Sequence, residues 1–161
     1  MKVQGFEDLK VWQEAMALCD AVHTLFLNSK LSSDFALREQ LNRSSISIPS
    51  NIAEGFERDS NKSFVYFLSI AKGSVAEVRT QLELCRRRAY LSDETFQELN
   101  ERCISISKML KGLMNYLEKN PNPSTTVKEP LEEIYNLNTL NNEPPNSNNP
   151  TPTTYNLKPA T

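Results

Sequence analysis

The sequence is poor in histidine and glycine, which restricts the chemistry that it can carry. Its 161 residues include one histidine, His23, and four glycines at separate positions. A Ser-His-Asp triad would have to use that histidine, a di-iron bundle needs two, and no glycine-rich loop exists to hold phosphate. A zinc site of His23 with the three cysteines is the alternative, but a partly exposed histidine beside the core cysteine Cys19 is the simpler interpretation. We therefore predict no catalytic residue, no metal site, no cofactor and no small-molecule substrate.

Long apolar runs and an excess of one charge are also missing. No stretch approaches the roughly 20 apolar residues that cross a bilayer, and Glu7 and Asp8 stand where a secretion signal has its apolar run. The 18 basic and 20 acidic residues argue against bulk electrostatic coating of nucleic acid. The odd number of cysteines fits reduced thiols instead of a disulfide framework. These features predict a cytoplasmic protein without membrane association.

Proline and glycine divide the chain near Lys119. Eight of the nine prolines follow Asn120, whereas all four glycines precede it. Residues 1–119 hold 16 basic and 16 acidic side chains, and residues 120–161 hold 2 and 4. We predict one globular domain over 1–119, which is long enough to bury a core, and a largely disordered tail rich in Asn, Pro and Thr over 120–161.

Apolar residues recur every three or four positions in four long segments, a spacing that is typical of amphipathic helices. The segments are approximately 6–28, 34–56, 61–89 and 93–119, and serines precede the last two as N-caps. Short connections and seven-residue repeats favour antiparallel neighbours. We predict an all-α, up-down-up-down four-helix bundle. Its predicted core stripes are Leu9, Trp12, Met16, Cys19, Val22 and Phe26; Leu37, Leu41, Ser45, Ile48, Ile52 and Phe56; Phe64, Leu68, Ala71, Val75, Val78, Leu82, Cys85 and Ala89; and Phe96, Leu99, Cys103, Ile106, Leu110, Leu113 and Leu117.

Pro49 lies inside the second segment. A proline within a helix removes one backbone hydrogen bond, here the one to Ser45, and costs about 3 kcal/mol in a straight helix. We predict a kinked second helix, with two separate helices as the alternative. The serine hydroxyls near the kink are expected to satisfy the freed carbonyl groups, and Gly55 is expected to allow a left-handed cap at the end of the helix.

Basic residues form a stripe along the third helix. Lys72, Arg79 and Arg86 recur every seven residues, and Arg87 and Arg88 extend the cluster. One interpretation makes these five residues a phosphate-binding surface with a measurable salt dependence. The other is structural, because cations complement the dipole at a helix C-terminus and acidic residues lie three or four positions away. The neutral charge of residues 1–119 favours the structural interpretation.

The third helix also carries more apolar residues than one stripe can bury. The sequence FVYFLSI begins at Phe64, and the bundle core leaves Val65, Tyr66 or Phe67 without an internal position. Ile46 on the second helix lies off its stripe in the same way. Helices with a second apolar face need another surface to bury against. We therefore predict an oligomer interface at Val65, Tyr66 and Phe67.

The tail contains one apolar island, from Pro130 to Leu140. Its apolar residues, Leu131, Ile134, Tyr135, Leu137 and Leu140, have helix-like spacing. Two interpretations remain open: a short helix that docks on a partner, or a segment that stays largely disordered alone. The composition of the tail favours disorder.

Three stretches together resemble a known family. FEDLKVWQEA (6–15), LREQLNRSSISIPSNIAEGFER (37–58) and FLSIAKGSVAEVRTQLELC (67–85) are similar to the four-helix-bundle proteins associated with 23S rRNA intervening sequences. The resemblance covers about residues 5–118 and leaves the tail unexplained. This family also includes accessory proteins of diversity-generating retroelements, which work with a reverse transcriptase and its RNA.

The resemblance implies an architecture more than an activity. It implies up-down bundles assembled into ring-shaped homopentamers, with a biochemical role that is poorly defined. The family motif is matched inside the second helix, where we interpret its residues structurally: Ser47, Pro49, Asn51, Glu54 and Gly55. We expect Asn51 and Glu54 to bond to a neighbouring helix or loop. Retroelement relatives have basic surfaces, whereas this chain has a neutral body and an acidic tail.

Two functional hypotheses follow from the sequence. The first is a non-enzymatic oligomeric scaffold or adaptor, whose partner is RNA, DNA or a nucleic-acid enzyme. The second is direct binding of nucleic acid, chiefly RNA, by the basic residues of the third helix, in the service of a reverse transcriptase.

Overall fold

The computed structural model describes residues 3–28 and 30–120, and these form four long helices without any strand. Each helix packs against its neighbours in sequence, and the first also contacts the fourth, which closes the bundle. The predicted all-α four-helix bundle is confirmed. The predicted tail over 121–161 lies outside the described residues. The helices are α1 (Lys10–Asn28), α2 (Phe35–Phe56), α3 (Asn61–Arg87) and α4 (Asp93–Lys119).

The first helix begins later than predicted. Phe6–Asp8 is a separate 3-10 turn, and α1 starts at Lys10. The Asp8 carboxylate accepts hydrogen bonds from the backbone N–H groups of Gln4 (2.8 Å) and Gly5 (3.3 Å). These bonds cap the turn, and the extended backbone of Leu9 separates it from α1, so Glu7 and Asp8 do not form the first turn of the long helix.

The buried face of α1 also differs from the predicted stripe. Leu9 and Val22 are buried as expected, but Trp12 and Cys19 are only half-buried and Met16 is exposed. A second apolar series with the same three- and four-residue steps faces the core instead. Its buried members are Val11, Ala15, Leu18 and Val22.

The later helices follow the predicted stripes closely, except at the end of α3. Serine hydroxyls cap the N-termini of α3 and α4: Ser60 accepts from the Ser63 N–H and Ser92 accepts from the Thr95 N–H. The exception is Ala89, which is exposed and has a positive φ of 54°. A left-handed residue ends a helix, so α3 stops at Arg87 and Ala89 is not part of the core.

The helix α2 is continuous through Pro49, which excludes two separate helices. Pro49 has no N–H, so the carbonyl group of Ser45 loses its usual donor. The Cys19 thiol of α1 donates to this oxygen at 3.2 Å. Nearby serine hydroxyls bond to other groups, for example Ser50 to the Ile46 carbonyl. The expectation that serines satisfy the carbonyl freed by the proline is therefore wrong at Ser45, because a thiol does so.

Gly55 is needed for close packing and not for a left-handed cap. It lies within α2, and no described glycine has a positive φ. A Cβ atom at this position would lie 2.8 Å from Phe64 Cδ2 and 2.8 Å from Phe67 Cβ. The absence of a side chain therefore lets α2 approach the beginning of α3.

None of the described helices is both long and apolar enough to span a membrane.

Candidate functional site

The basic residues at the end of α3 are bound by carboxylates. Glu83 accepts from the guanidinium groups of both Arg86 (2.8 and 2.9 Å) and Arg87 (2.8 Å). Arg86 also contacts Asp93 at 3.3 Å and lies over the ring of Phe96. These contacts lower the pKa of Glu83 to about 2 and raise the pKa of Arg86. The geometry supports the structural interpretation for this part of the cluster.

Arg88 fastens the α3–α4 connection to the start of α2. Its guanidinium donates to Asp34 at 2.7 Å, and the Tyr90 hydroxyl donates to the same carboxylate oxygen at 3.2 Å. Asp34 is also the N-cap of α2, because it accepts from the Leu37 N–H at 3.2 Å. The Leu37 N–H and the Arg88 guanidinium lower the pKa of Asp34. Three elements thus meet at one carboxylate, and Arg88 serves the fold.

Lys72 and Arg79 differ from these three arginines. Arg79 donates to the neutral amide of Asn100 on α4 at 2.9 Å, and no ion pair within residues 3–28 and 30–120 involves either Arg79 or Lys72. Both side chains are exposed. The five predicted nucleic-acid-binding residues are therefore split by their contacts into three compensated cations and two uncompensated ones.

An open groove of about 640 Å³ runs between α3 and α4 beside Arg79. Apolar and charged side chains mix along it, and both Glu83 and Arg87 are at its edge. Its lining residues are Ala76, Arg79, Thr80, Glu83, Leu84, Arg87, Phe96 and Asn100.

The predicted oligomer interface is divided by the structure. Val65 is half-buried and packs against the core, so it does have an internal position. Tyr66 is 62% exposed. Phe67 is half-buried: its ring lies 5.5 Å from that of Tyr66, and the Arg58 guanidinium covers it at 5.1 Å. Of the three predicted residues, Tyr66 is the one that faces solvent.

Ile70 extends this apolar surface, and the sequence prediction missed it. It lies one turn after Tyr66 and is 36% exposed. The signal was available, because a second three- and four-residue series runs outside the core stripe of α3. We call this series the outer row: Tyr66, Ile70, Gly73, Glu77, Thr80 and Leu84, all exposed. We call Tyr66, Phe67 and Ile70 the Tyr66 patch.

Gly73 lies in the middle of the outer row. A Cβ atom at this position would have no protein atom within 4 Å. It contrasts with Gly55, at which two phenylalanines close the space. The other exposed apolar residue that the sequence indicated, Ile46 on α2, is 48% exposed.

The family motif in α2 contributes one contact between helices. The hydroxyl groups of Ser47 and Ser74 lie 2.9 Å apart and join α2 to α3. Asn51 donates to the carbonyl and hydroxyl oxygens of Ser47, and Glu54 pairs with Arg58, both along the same segment of chain. The expectation of a bond to a neighbouring helix or loop is wrong for Asn51, which bonds within α2, and is confirmed for Glu54, because Arg58 lies in the loop after α2.

The three cysteines and His23 do not converge. Burial raises the pKa of Cys19 to about 11, of Cys85 to about 11 and of Cys103 to about 12. His23 is exposed and packs edge-on against Phe26. Within the described part of the chain, no three His, Cys, Asp or Glu side chains are grouped as metal ligands.

Comparison with known proteins identifies the family. The sequence model of the 23S rRNA-intervening sequence proteins matches residues 7–112. A crystal structure from Bacteroides thetaiotaomicron, of a protein with unknown function from the S23 ribosomal protein family, is similar with a TM-score of 0.60 and 25% identity. That match covers 65% of this chain and 97% of the other. No curated protein matches the sequence. The matched residues include α1, α2, α3 and most of α4, so the chain belongs to the 23S rRNA-intervening sequence protein family.

Proposed function

We propose that this protein is a non-enzymatic scaffold that assembles from copies of itself through the N-terminal part of the outer row of α3, from Tyr66 to Gly73. The observation that carries the proposal is the exposure of Tyr66 and Ile70 on adjacent turns of an otherwise well-packed helix. Isolated apolar side chains on a surface need no explanation, but adjacent ones that form a patch mark an interaction site. The Tyr66 patch has this property.

The centre of the outer row supports a helix as the partner. Gly73 leaves open space on the surface, one turn beyond Ile70. A residue without a side chain next to a larger apolar one allows a second backbone to approach closely while the apolar side chain packs beside it. A helix of a second copy therefore fits this face.

A closed ring requires a second, different surface on each copy. In a cyclic assembly the contact is heterologous, so one patch meets another part of the next subunit. Met16 on α1 and Ile46 on α2 are exposed apolar residues on other helices and supply candidates for that second surface. The number five is implied by the family resemblance, and it predicts a mass five times the 18.3 kDa of one chain.

The oligomeric mass of an Ile70→Glu variant tests this proposal. A charge in the buried centre of an interface is strongly unfavourable, so the variant is expected to remain a single chain when the wild-type protein is oligomeric. Thr80→Glu is the matched control, because Thr80 lies on the same row and is already polar. Light scattering over a wide concentration range gives the masses. A wild-type protein that remains a single chain throughout, or an Ile70→Glu variant that keeps the wild-type mass, would contradict the proposal.

Direct binding of RNA is the second candidate, and the uncompensated charges of Lys72 and Arg79 favour it. Cations without carboxylate partners are the ones free to replace counterions on phosphate. The test is the affinity for a labelled structured RNA at about 50 and 200 mM salt, since several phosphate contacts weaken binding by orders of magnitude over that range.

The double variant Lys72→Glu/Arg79→Glu is expected to abolish such binding while leaving the oligomeric mass unchanged. Arg43→Glu is the control, because Arg43 is an exposed cation on α2 with a carboxylate at 3.9 Å. Loss of RNA affinity in both variants would indicate a general charge effect. An unchanged affinity in the double variant would show that Lys72 and Arg79 do not bind RNA.

A further inference from the structure

The Tyr66 patch lies close to the point at which the described chain ends. The side-chain amide of Asn61, at the start of α3, donates to the backbone carbonyl of Asn120 at 2.6 Å. At 1.5 Å per residue, Tyr66 is about 7.5 Å and Ile70 about 13.5 Å further along α3. The chain after Asn120 therefore begins within about three helical turns of the patch along the axis of α3.

The sequence that follows contains a segment of matching chemistry. Residues 129–140, EPLEEIYNLNTL, carry five apolar side chains, which the rest of 120–161 lacks in comparable density. The ten residues 121–130 separate Asn120 from Leu131, and a chain of that length reaches about 33 Å when extended. This reach is more than twice the axial distance of about 13.5 Å from Asn61 to Ile70. The segment is therefore long enough to pass around α3 and contact the patch of its own chain.

Charge complements the apolar match. The segment 129–140 contains three glutamates and no basic residue. The beginning of α3, residues 61–76, contains Lys62 and Lys72 and no acidic residue. Both lysines are exposed, and neither takes part in an ion pair within the part of the chain that the structure describes. Lys62 lies four residues before Tyr66 and therefore on the same face of α3, whereas Lys72 lies two residues beyond Ile70 and on a different face. An opposite charge beside an apolar contact favours one partner over others.

We propose that residues 129–140 bind to the Tyr66 patch of the same chain, with their apolar side chains on Tyr66 and Ile70 and their glutamates toward Lys62. A second copy of the chain competes for the same surface. One consequence rests on the proposed function: if the Tyr66 patch is the assembly interface, the bound segment opposes assembly. The segment must then leave the patch before a second copy can bind there.

Hydroxyl-radical footprinting of the full-length protein tests this contact directly. The oxidation rate of Tyr66 is measured by mass spectrometry at concentrations at which light scattering shows a single chain. The tail variant Ile134→Ser/Tyr135→Ser is compared with wild type, and Tyr155→Ser/Leu157→Ser is the control with the same change elsewhere in the tail. We expect Tyr66 to be oxidised several-fold faster in the first variant and at the wild-type rate in the second. Phe35, which is exposed at the start of α2, serves as the internal reference.

Each outcome decides between occupants of the patch. Equal rates for Tyr66 in wild type and in Ile134→Ser/Tyr135→Ser would overturn the tail contact, whatever the oligomeric mass. Protection that increases with protein concentration and persists in the tail variant would assign the patch to a second copy; this outcome contradicts the tail contact and supports the proposed function. Protection that is independent of concentration and lost in the tail variant supports the tail contact alone.

A charge reversal provides a second, independent readout. Lys62→Glu is expected to speed the oxidation of Tyr66 because it repels the glutamates of the segment, and Lys111→Glu on α4 is the matched control. A Tyr66 rate that is unchanged in Lys62→Glu would contradict the proposed orientation of the segment.

Discussion

The two halves of α3 differ in how many contacts their exposed side chains make within the fold. At the C-terminal end, Glu83 binds Arg86 and Arg87, so these two charges are compensated within the fold, whereas Arg79 near the middle of the helix bonds to the neutral Asn100. In the N-terminal half, residues 61–76 leave Lys62 and Lys72 without ion pairs among the described residues, and Tyr66 is largely exposed. The C-terminal end therefore has mainly structural contacts. The N-terminal half has exposed apolar and basic side chains that can contact a partner.

This difference shows why a regular charge repeat is a poor guide to function. Lys72, Arg79 and Arg86 recur every seven residues and look equivalent in the sequence. Among the described residues, Lys72 has no ion-pair partner, Arg79 bonds to the neutral Asn100, and Arg86 is held by the carboxylates of Glu83 and Asp93. A charge repeat identifies a surface for nucleic acid only after the carboxylates near each cation have been located.

The largest expected effect concerns the inner face of the N-terminal half. Gly55→Ala places a Cβ atom against Phe64 and Phe67, and such overpacking costs about 1–3 kcal/mol. The better helix propensity of alanine returns about 1 kcal/mol. We expect a net loss of up to about 2 kcal/mol in the free energy of unfolding, measured by denaturant titration. An increase in stability would show that α2 and α3 are not closely packed at this point.

The outer face of the same half is expected to respond with the opposite sign. Gly73→Ala adds a methyl group in open space, and alanine stabilises a helix by about 0.5–1 kcal/mol relative to glycine. The same denaturant titration, at a concentration at which the protein is a single chain, measures the gain. A loss of stability would mean that the surface at Gly73 is covered within one chain, contrary to its exposure.

The smallest effect concerns the compensated charges of the C-terminal half. The pKa of Glu83 is lowered from 4.5 to about 2 by Arg86 and Arg87, so its contribution to stability is present above pH 4.5 and is lost as the pH falls toward 2. The stability difference between wild type and Glu83→Gln should therefore disappear over that range. We expect it to be small at neutral pH, because partly exposed ion pairs contribute little.

Thermal unfolding measured from pH 7 to pH 2 tests this expectation. Glu101→Gln on α4 is the control for removal of one negative charge, because Glu101 is exposed and has no ion pair within the described residues. A difference between Glu83→Gln and wild type that persists unchanged at pH 2 would contradict the proposed role of the ion pairs.

The sequence predicted the helices better than it predicted their orientation. On α3 and α4 only one heptad series is apolar throughout, because the outer row of α3 is interrupted by Gly73, Glu77 and Thr80, so the buried residues follow from spacing. On α1 two apolar series have the same spacing, one through Met16 and one through Leu18. Only the position of α2 and α4 decides that Leu18 is buried and Met16 exposed.

Contacts between distant parts of the chain were not predictable from spacing. The bonds from Glu83 to Arg86 and Arg87 span three and four residues and follow the helix rule. The bond from Arg88 to Asp34 spans 54 residues, and the thiol bond from Cys19 to Ser45 spans 26. These last two depend on the tertiary arrangement, and no local pattern specifies them.

The sequence predicted only part of the Tyr66 patch, because the contacts of some of its residues also depend on the tertiary arrangement. The surplus of apolar residues from Phe64 onward correctly indicated Tyr66 as exposed, since one core stripe has room for only some of them. It did not show that Val65 packs inward or that Arg58 covers Phe67. Ile70 was not predicted because only the core stripe of α3 was considered, and Ile70 belongs to the outer row, which has the same period.

The most direct test of the difference between the two halves is the oligomeric mass of two single variants matched along the outer row. Ile70→Ser removes an exposed apolar side chain from the N-terminal half, and Leu84→Ser makes the comparable change in the C-terminal half, because the two side chains are 36% and 38% exposed. Light scattering is expected to show that the first variant remains a single chain at concentrations at which the wild type and the second variant are oligomeric. An equal mass for both variants, or loss of assembly in the second alone, would contradict the assignment of the interaction surface to the N-terminal half of α3.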